Sequence, residues 1–136
     1  MYLLDTNVIS EFRKGARANL GVRQFMAQSD AGNAFVSVIT LAEIRRGIDL
    51  IRHRNDTVTE DRMDLWFETI TDEFAERILF FDLDCALAWG KLLVPNPAHP
   101  IDKQIAATAL VYDLTLVTRN VKDFAGTGVR IENPFS

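Results

Sequence analysis

The strongest constraint on the fold of this chain is the alternation of short apolar runs with longer segments of helical periodicity. The short runs are rich in β-branched and aromatic residues, which is typical of buried strands. In the longer segments apolar residues recur three and four positions apart, as they do at Leu41, Ile44 and Ile48, and this spacing predicts helices. Strands that alternate with helices predict an α/β fold with a largely parallel sheet. The predicted strands are YLLD, AFVSVIT, ILFFD, LTLVT and VRI.

Length and composition predict one compact domain that spans residues 1–136. Hydrophobic residues make up 48% of the chain, which is enough to bury a core. No apolar run approaches the roughly 20 residues that a membrane-spanning helix needs, and the N-terminus lacks the pattern of a signal peptide. The single cysteine, Cys85, fits a reducing compartment. We therefore expect a cytoplasmic protein that does not associate with membranes.

The net charge of −4 argues weakly against nucleic-acid binding. Its distribution softens that argument, because residues 55–84 carry ten acidic and two basic residues while the rest of the chain is mildly basic. A solvated helix face is the ordinary reason for such an acidic segment.

Acidic and amide side chains follow the predicted strands at their carboxyl ends, where open α/β sheets bind ligands. They are Asp5, Glu43, Asp102, Asn120 and Asp123. Each has a structural alternative. Asp5 has the residue type of a helix cap, Glu43 has capping-box spacing from Thr40, Asp102 suits the positive end of its helix, and Asp123 suits a solvated loop. Together, however, these residues cluster at one predicted edge of one sheet.

Carboxylates gathered in this way repel one another unless a cation lies among them. Oxygen ligands favour Mg²⁺ or Mn²⁺ over zinc, and the histidines His53 and His99 have no ligand spacing. A hard cation held by a few carboxylates is the usual apparatus for cleaving phosphodiesters, so the pattern favours a metal-dependent nuclease.

Four segments in the same order resemble the PIN-domain proteins, and more closely the VapC-type toxins of bacterial toxin–antitoxin pairs and the allied FitB-type proteins. The segments are LLDTNVISE, ITLAEIRRGI, DKQIAATAL and LVTRNVKDF. The resemblance implies a three-layer α/β/α sandwich with a five-stranded, mainly parallel sheet. It also implies a Mg²⁺-dependent endoribonuclease that acts as a toxin.

The resemblance carries residue roles onto matching positions of this chain. Asp5, Glu43 and Asp102 match the first three acidic positions of the family, while Asn120 stands at a fourth position that is often Asp. The implied catalytic set is Asp5, Glu43, Asp102 and Asn120. The implied metal ligands are Asp5, Asp102 and Glu43, with Asp123 as a source of further charge. Thr6 and Thr118 match small hydroxyl positions that support the ligands from the outer shell.

The predicted mechanism follows from these positions and from the resemblance. Asp5 and Asp102 anchor the metal, and Glu43 orients or deprotonates a water that displaces the RNA 3′-oxygen in line. The products would carry 5′-phosphate and 3′-hydroxyl ends. Basic residues near the motifs are candidates for holding RNA phosphates, with Arg119 first and then Arg13 and Lys14.

The resemblance also implies partners, namely a cognate antitoxin and a second copy of the chain in a homodimer. Two other functions fit parts of the sequence. FFDLDCAL resembles the motif of haloacid-dehalogenase-like enzymes, but it lies late in the chain, and Asp82 and Asp84 are better explained by a turn and a helix cap. The second is a non-catalytic PIN module that works through a DNA-binding partner, which Asn120 favours and the three matching acids oppose.

Overall fold

The structure is a computed structural model that describes residues 1–54 and 56–136. In these ranges a single parallel sheet contains five strands in the order β3-β2-β1-β4-β5. The strands are β1 (Tyr2–Leu4), β2 (Ala34–Ser37), β3 (Ile78–Leu79), β4 (Thr115–Val117) and β5 (Ile131–Glu132). The predicted α/β class and parallel sheet are confirmed.

Helices cover both faces of the sheet. They are α1 (Thr6–Phe12), α2 (Leu20–Gln28), α3 (Val38–His53), α4 (Thr57–Glu73), α5 (Leu83–Leu92) and α6 (Pro100–Val111). Short 3₁₀ helices lie at Gly15–Arg17, Ala31–Asn33 and Val121–Phe124. Within the described ranges, no helix is both long enough and apolar enough to cross a membrane.

Two hydrophobic cores, one on each face of the sheet, make the fold a three-layer sandwich. Neighbouring residues of β1 point to opposite faces, as strand geometry requires. Leu4 packs with residues of α1 to α4, whereas Leu3 packs with residues of α6 and with Phe124. The apolar stripe of α4 belongs to the first core, where Ile70 and Phe74 are buried.

The second strand is shorter than predicted, and the helix after it starts earlier. β2 ends at Ser37, whose side-chain oxygen accepts a hydrogen bond from the Ile39 N–H at 3.0 Å and so caps α3. Thr40 therefore lies inside the helix, and the predicted capping box between Thr40 and Glu43 is wrong. The β-branched run that suggested a strand continues into the helix because Thr40 is fully buried there and Ile39 packs against the second core.

Asp82 is the N-cap of α5, and one of its carboxylate oxygens accepts a hydrogen bond from the Cys85 N–H at 3.0 Å. This confirms the structural interpretation of FFDLDCAL.

The sheet order places a topological switch point between β1 and β4. The chain leaves β1 toward β2 on one side and later returns to β4 on the other side. The two strands are parallel, with Leu4 opposite Val117, so their carboxyl ends open side by side. Ligands bind at such a crevice in open α/β sheets.

Gly21 at the start of α2 lies against the end of the chain. A Cβ atom added at Gly21 would lie 2.1 Å from the Pro134 carbonyl oxygen, whereas one added at Gly47 in α3 would meet no atom of the described residues within 4 Å. We expect Gly21→Ala to lower the free energy of unfolding by about 1–3 kcal/mol through overpacking. Gly47→Ala, the matched control, should raise it by about 0.5–1 kcal/mol. Urea unfolding measures both, and equal shifts would contradict the tight contact.

Candidate active site

Asp5 lies at the carboxyl end of β1 and is also the N-cap of α1. Its backbone is extended, its N–H donates to the Val117 carbonyl at 2.9 Å, and its Oδ1 accepts from the Thr6 N–H at 2.8 Å. The residue is only 3% exposed. The capping interpretation is therefore confirmed, and the cap uses only one of the two carboxylate oxygens.

That other oxygen is held by two side chains. Oδ2 of Asp5 accepts hydrogen bonds from the Thr118 hydroxyl at 2.7 Å and from the Asn7 amide at 3.2 Å. Thr118 follows β4 and is fully buried, so this bond joins the ends of two adjacent strands. The predicted location of Thr118 beside the acidic residues is therefore observed.

Asn7 is a residue that the sequence interpretation did not single out. Its amide nitrogen also donates to Thr118 Oγ1 at 3.2 Å, and its Oδ1 accepts the Arg119 N–H at 3.0 Å. Asn7 thus ties the first turn of α1 to the segment after β4. Its position within LLDTN, two residues after Asp5, was the available signal, but the sequence does not show which way the side chain points.

Glu43 lies in the second turn of α3 and is half-buried. Its Oε1 accepts a hydrogen bond from the Thr6 hydroxyl at 2.8 Å. Thr6 therefore fixes the orientation of Glu43, while the backbone N–H of Thr6 holds Asp5. Thr6 is placed between two of the predicted acids, as an outer-shell residue would be.

Asp102 is half-buried in the first turn of α6, which begins with Pro100. The Nδ1 atom of His99 lies 3.9 Å from Asp102 Oδ2. Among the described residues, this histidine is the only basic group that pairs with one of the predicted acids, and it carries a charge only when protonated.

The electrostatics indicate that these carboxylates share one site. Burial raises the pKa of Asp5, and the negative charge of Asp123 raises it further against the lowering effect of the hydrogen bonds from Thr118, Thr6 and Asn7. Burial also raises the pKa of Glu43, with added repulsion from Asp5 and Asp102. The pKa of Asp102 is raised by burial and then by Asp5 and Asp123.

Asn120 and Asp123 differ in how they relate to this group. Asn120 is exposed, and its contact with the site is a hydrogen bond from its backbone N–H to Thr118 Oγ1 at 3.0 Å. Asp123 is half-buried in the 3₁₀ helix Val121–Phe124, and its charge raises the pKa of both Asp5 and Asp102. The negative charge near the other acids therefore comes from Asp123, and the Asn120 side chain contributes none.

An acidic group whose carboxylates lie closer to one another occurs elsewhere on the molecule. In the described ranges, carboxylate oxygens of three acids lie within 4.8 Å of one another at Glu60, Asp61 and Asp64 of α4. Glu60 is hydrogen-bonded and ion-paired to Arg52, and Asp64 pairs with Arg45 at 2.8 Å. Because arginines already neutralise two of its three charges, this group needs no cation.

The acids at the sheet edge fit a hard divalent cation better. They offer oxygen donors, and their pKa values are raised by burial and mutual repulsion, which a bound cation would relieve. Their oxygens are more widely spaced than those of the α4 group in the described structure.

The raised pKa values, which are due first to burial and then to repulsion between the acids, predict how stability depends on pH. Between the ordinary values, 3.8 for Asp and 4.5 for Glu, and the raised values, the folded protein holds protons that the unfolded chain has lost. The contribution of these residues to the free energy of unfolding therefore falls as the pH rises through that interval. Urea unfolding in chelator should show a flatter pH dependence for Glu43→Gln/Asp102→Asn than for wild type. Identical pH dependences would contradict the raised pKa values.

The predicted RNA-binding residues have different surroundings. The Arg119 guanidinium lies 4.7 Å from the centre of the Phe135 ring, and that of Arg13 lies 5.7 Å from the Trp66 ring. Lys14 pairs with Glu11 at 3.0 Å, so its charge is already partly neutralised. Stacking on an aromatic ring leaves the edge of a guanidinium open to phosphate oxygens.

Two open cavities flank the acids. A groove of about 530 Å³ lies on the Glu43 side, and a second cavity of about 380 Å³ lies on the Asp123 side. The second cavity is lined by Arg119, Asn120, Val121, Lys122, Asp123 and Asn133.

Comparison with known proteins agrees with this architecture. The family model of the PIN domain matches residues 2–128, so the chain belongs to the PIN-domain family. It is 34% identical to the plasmid stability protein StbB of Pseudomonas syringae pv. tomato, over 99% of both chains. It is also 33% identical to Toxin FitB of Neisseria gonorrhoeae, over 99% of both chains.

Another relative is the VapC ribonuclease Y4jK of Sinorhizobium fredii, which is 30% identical over 99% of this chain and 98% of its own. A crystal structure of FitAcB from Neisseria gonorrhoeae superposes with a TM-score of 0.81 at 33% identity and covers 98% of each chain. The predicted family and the three-layer fold are confirmed.

Proposed function

We propose that this protein is a metal-dependent endoribonuclease that acts as the toxin of a toxin–antitoxin pair. The observation that carries the proposal is the set of mutually repelling carboxylates at the carboxyl ends of the strands, on a PIN fold. The relative named Toxin FitB supports the toxin role, and the relative named VapC ribonuclease Y4jK supports the ribonuclease activity.

In this proposal Asp5 and Asp102 hold the metal, and Glu43 and Asp123 complete the negative site. Mg²⁺ is the ion proposed, with Mn²⁺ as a substitute, because both accept carboxylate oxygens. When bound, such an ion lowers the pKa of water and offsets charge on the phosphate. Asn7 and Thr118 keep Asp5 in one orientation through their hydrogen bonds to Oδ2.

Glu43 is the proposed general base. The Thr6 hydroxyl donates a hydrogen bond to its carboxylate and so orients it, and a positioned carboxylate can accept a proton from water. Glu43 takes a proton from the attacking water as the new bond from the water oxygen to phosphorus forms. The bond from phosphorus to the RNA 3′-oxygen breaks, and that oxygen takes a proton from solvent water. The products are a 5′-phosphate and a 3′-hydroxyl.

Arg119 is the first proposed phosphate contact, because it lines the cavity beside Asp123 and is stacked on Phe135. Arg13, stacked on Trp66, is the second proposed phosphate contact. Lys14 is a weaker candidate for a phosphate contact, because its charge is paired with Glu11. Asn120 is proposed to act through its backbone N–H on Thr118 and not as a metal ligand.

The partners proposed are a cognate antitoxin, an RNA substrate and a second copy of the chain, in the cytoplasm. The relative named Toxin FitB supports the toxin role, and the large exposed side chains of α5 support protein partners. Leu83 and Leu87, one turn apart on that helix, are 72% and 60% exposed.

A non-catalytic PIN module that works through a DNA-binding partner is the second candidate function. The observation in its favour is Asn120 at a position that is often acidic in the resembled family. The charge of Asp123 at the same site counts against it, since the acid is supplied three residues later.

The ends of the cleavage products test the proposed mechanism. Purified protein is incubated in Mg²⁺ or in chelator with an internally labelled RNA that begins with a 5′-hydroxyl, and the fragments are treated with a 5′-phosphate-dependent exonuclease. We expect fragments only in Mg²⁺, with exonuclease-sensitive 5′-phosphates and 3′-hydroxyls that a ligase accepts. Fragments that end in 2′,3′-cyclic phosphate would contradict hydrolysis by water, because they require attack by the RNA 2′-hydroxyl.

A further inference from the structure

The groove beside Glu43 has a composition that the proposed reaction does not explain. It lies between α3 and α6, next to the acids, and has a volume of about 530 Å³. Its walls combine apolar side chains with one cation and one amide. The lining residues are Thr6, Ile39, Ala42, Glu43, Arg46, Ile101 and Gln104.

Arg46 supplies the positive charge of this groove. It is exposed and lies three residues after Glu43, so both side chains project from the same side of α3. The guanidinium of its neighbour Arg45 forms ion pairs with the carboxylates of Asp49 and Asp64, at 2.9 and 2.8 Å. Arg46, in contrast, pairs with no carboxylate in residues 1–54 and 56–136. Its charge is therefore available to an anion in the groove.

The apolar and amide groups lie next to that charge. Ile101, which directly precedes Asp102, is 46% exposed and lines the groove. Ile39 of α3 lines the same groove and is partly buried. The side-chain amide of Gln104 forms no hydrogen bond with the part of the chain that the structure describes. An amide offers both a donor and an acceptor to the edge of a ligand.

We propose that this groove binds one unpaired nucleotide of a single-stranded RNA, next to the phosphate that is cleaved. The inference rests on the proposed ribonuclease function. The base lies between Ile39 and Ile101, its edge faces Gln104, and the adjoining phosphate lies on Arg46. A single strand is required because a base held in a duplex has no free face or edge to enter a groove.

The chemistry of the groove favours a nucleotide over a peptide. A nucleic acid places an anion next to a flat, largely apolar ring with a polar edge, and the groove presents a cation, apolar walls and an amide in the same neighbourhood. Glu43 at one end would repel the phosphate, so the phosphate is placed at Arg46 and the base between the isoleucines.

Binding without cleavage tests the phosphate contact. Fluorescence anisotropy measures the Kd of a labelled 12-nucleotide single-stranded RNA of mixed sequence in an Asp5→Asn background. We expect Arg46→Gln to weaken binding about tenfold. The slope of log Kd against log salt should fall by about 0.7, the value for one phosphate on a single strand. Arg62→Gln on α4 is the matched control, because α4 contributes no described residue to the groove, and its Kd should be unchanged.

Sequence preference tests the base contact. Wild type and Gln104→Ala are incubated with a pool of random RNA, and the nucleotides around each cut are sequenced. We expect wild type to prefer particular bases at one position beside the cut, and Gln104→Ala to lose that preference while it still cleaves. Ile101→Ser should weaken binding to the single strand and leave binding to a hairpin of the same composition unchanged.

The outcomes separate this inference from the proposed function. If wild type cleaves RNA but Arg46→Gln and Arg62→Gln bind it equally, the nucleotide groove is wrong and the ribonuclease stands. If Arg46→Gln and Ile101→Ser weaken only the complex with a cognate antitoxin, the groove belongs to the protein partner and the inference is again wrong. If wild type binds RNA through Arg46 but cleaves none, the ribonuclease function is wrong, and the groove is supported as an RNA-binding site but not as a subsite beside a cleaved phosphate.

Discussion

Replacement of Asp123 by asparagine is expected to lower the rate of RNA cleavage by about 10²-fold, at the upper end of what supporting groups of a metal site contribute. Asn120→Ala is expected to lower it only slightly. The contrast follows from the site, where the charge of Asp123 acts on Asp5 and Asp102 while the Asn120 side chain is exposed. The contact of Asn120 with the site is made by its backbone N–H, which alanine retains.

Initial rates on one RNA, measured at several Mg²⁺ concentrations, give the comparison. Asp123→Asn should also require more Mg²⁺ to reach half its maximal rate, because the site has lost one negative charge. Urea unfolding of both variants checks that the losses are not caused by unfolding. A larger loss for Asn120→Ala than for Asp123→Asn would place the fourth functional group at position 120 and contradict our assignment.

The second large effect is expected for Asp5→Asn, which should lower cleavage by about 10³-fold or more, since metal assistance is worth several kcal/mol. Its effect on the stability of the metal-free protein should be small, because two effects of opposite sign offset each other. Asparagine keeps an oxygen that can accept the Thr6 N–H and removes a buried charge that Asp123 repels, but its NH₂ group cannot accept the hydrogen bonds that Thr118 and Asn7 donate to Oδ2. Activity and stability are therefore expected to move independently.

Thermal or urea unfolding in chelator measures the stability of this variant, with Asp84→Asn as the control. Asp84 is an exposed acid in the first turn of α5, outside the site, and its replacement should leave cleavage unchanged. Strong destabilisation by Asp5→Asn without metal would mean that Asp5 is first of all a structural cap, and that the loss of activity reports a damaged fold.

The parts of the site that could be predicted from the sequence are those fixed by the order of elements. Asp5 follows β1, Asp102 lies in the first turn of α6, and Glu43 lies in the second turn of the helix after β2. Parallel strands bring such positions to one edge of the sheet. Alternation and periodicity were sufficient for this, and the resemblance to PIN domains added the family and its chemistry.

The parts that could not be predicted depend on side-chain direction and on contacts between distant segments. Asn7 reaches Thr118 across 111 positions of sequence, and no local pattern announces that bond. The choice between Asn120 and Asp123 depends on how the 3₁₀ helix after β4 turns, and the sequence left it open. The start of α3 was misplaced because β-branched residues favour strands locally, whereas Ser37 caps a helix there.

The most direct test of the central claim is cleavage of one RNA by purified wild type and Asp5→Asn, each with Mg²⁺ and with chelator. The account predicts cleavage by wild type in Mg²⁺ alone, restored when Mg²⁺ is added back in excess over the chelator. Equal cleavage by the two proteins, or cleavage by wild type in chelator, would show that the carboxylates at the sheet edge are not the catalytic site.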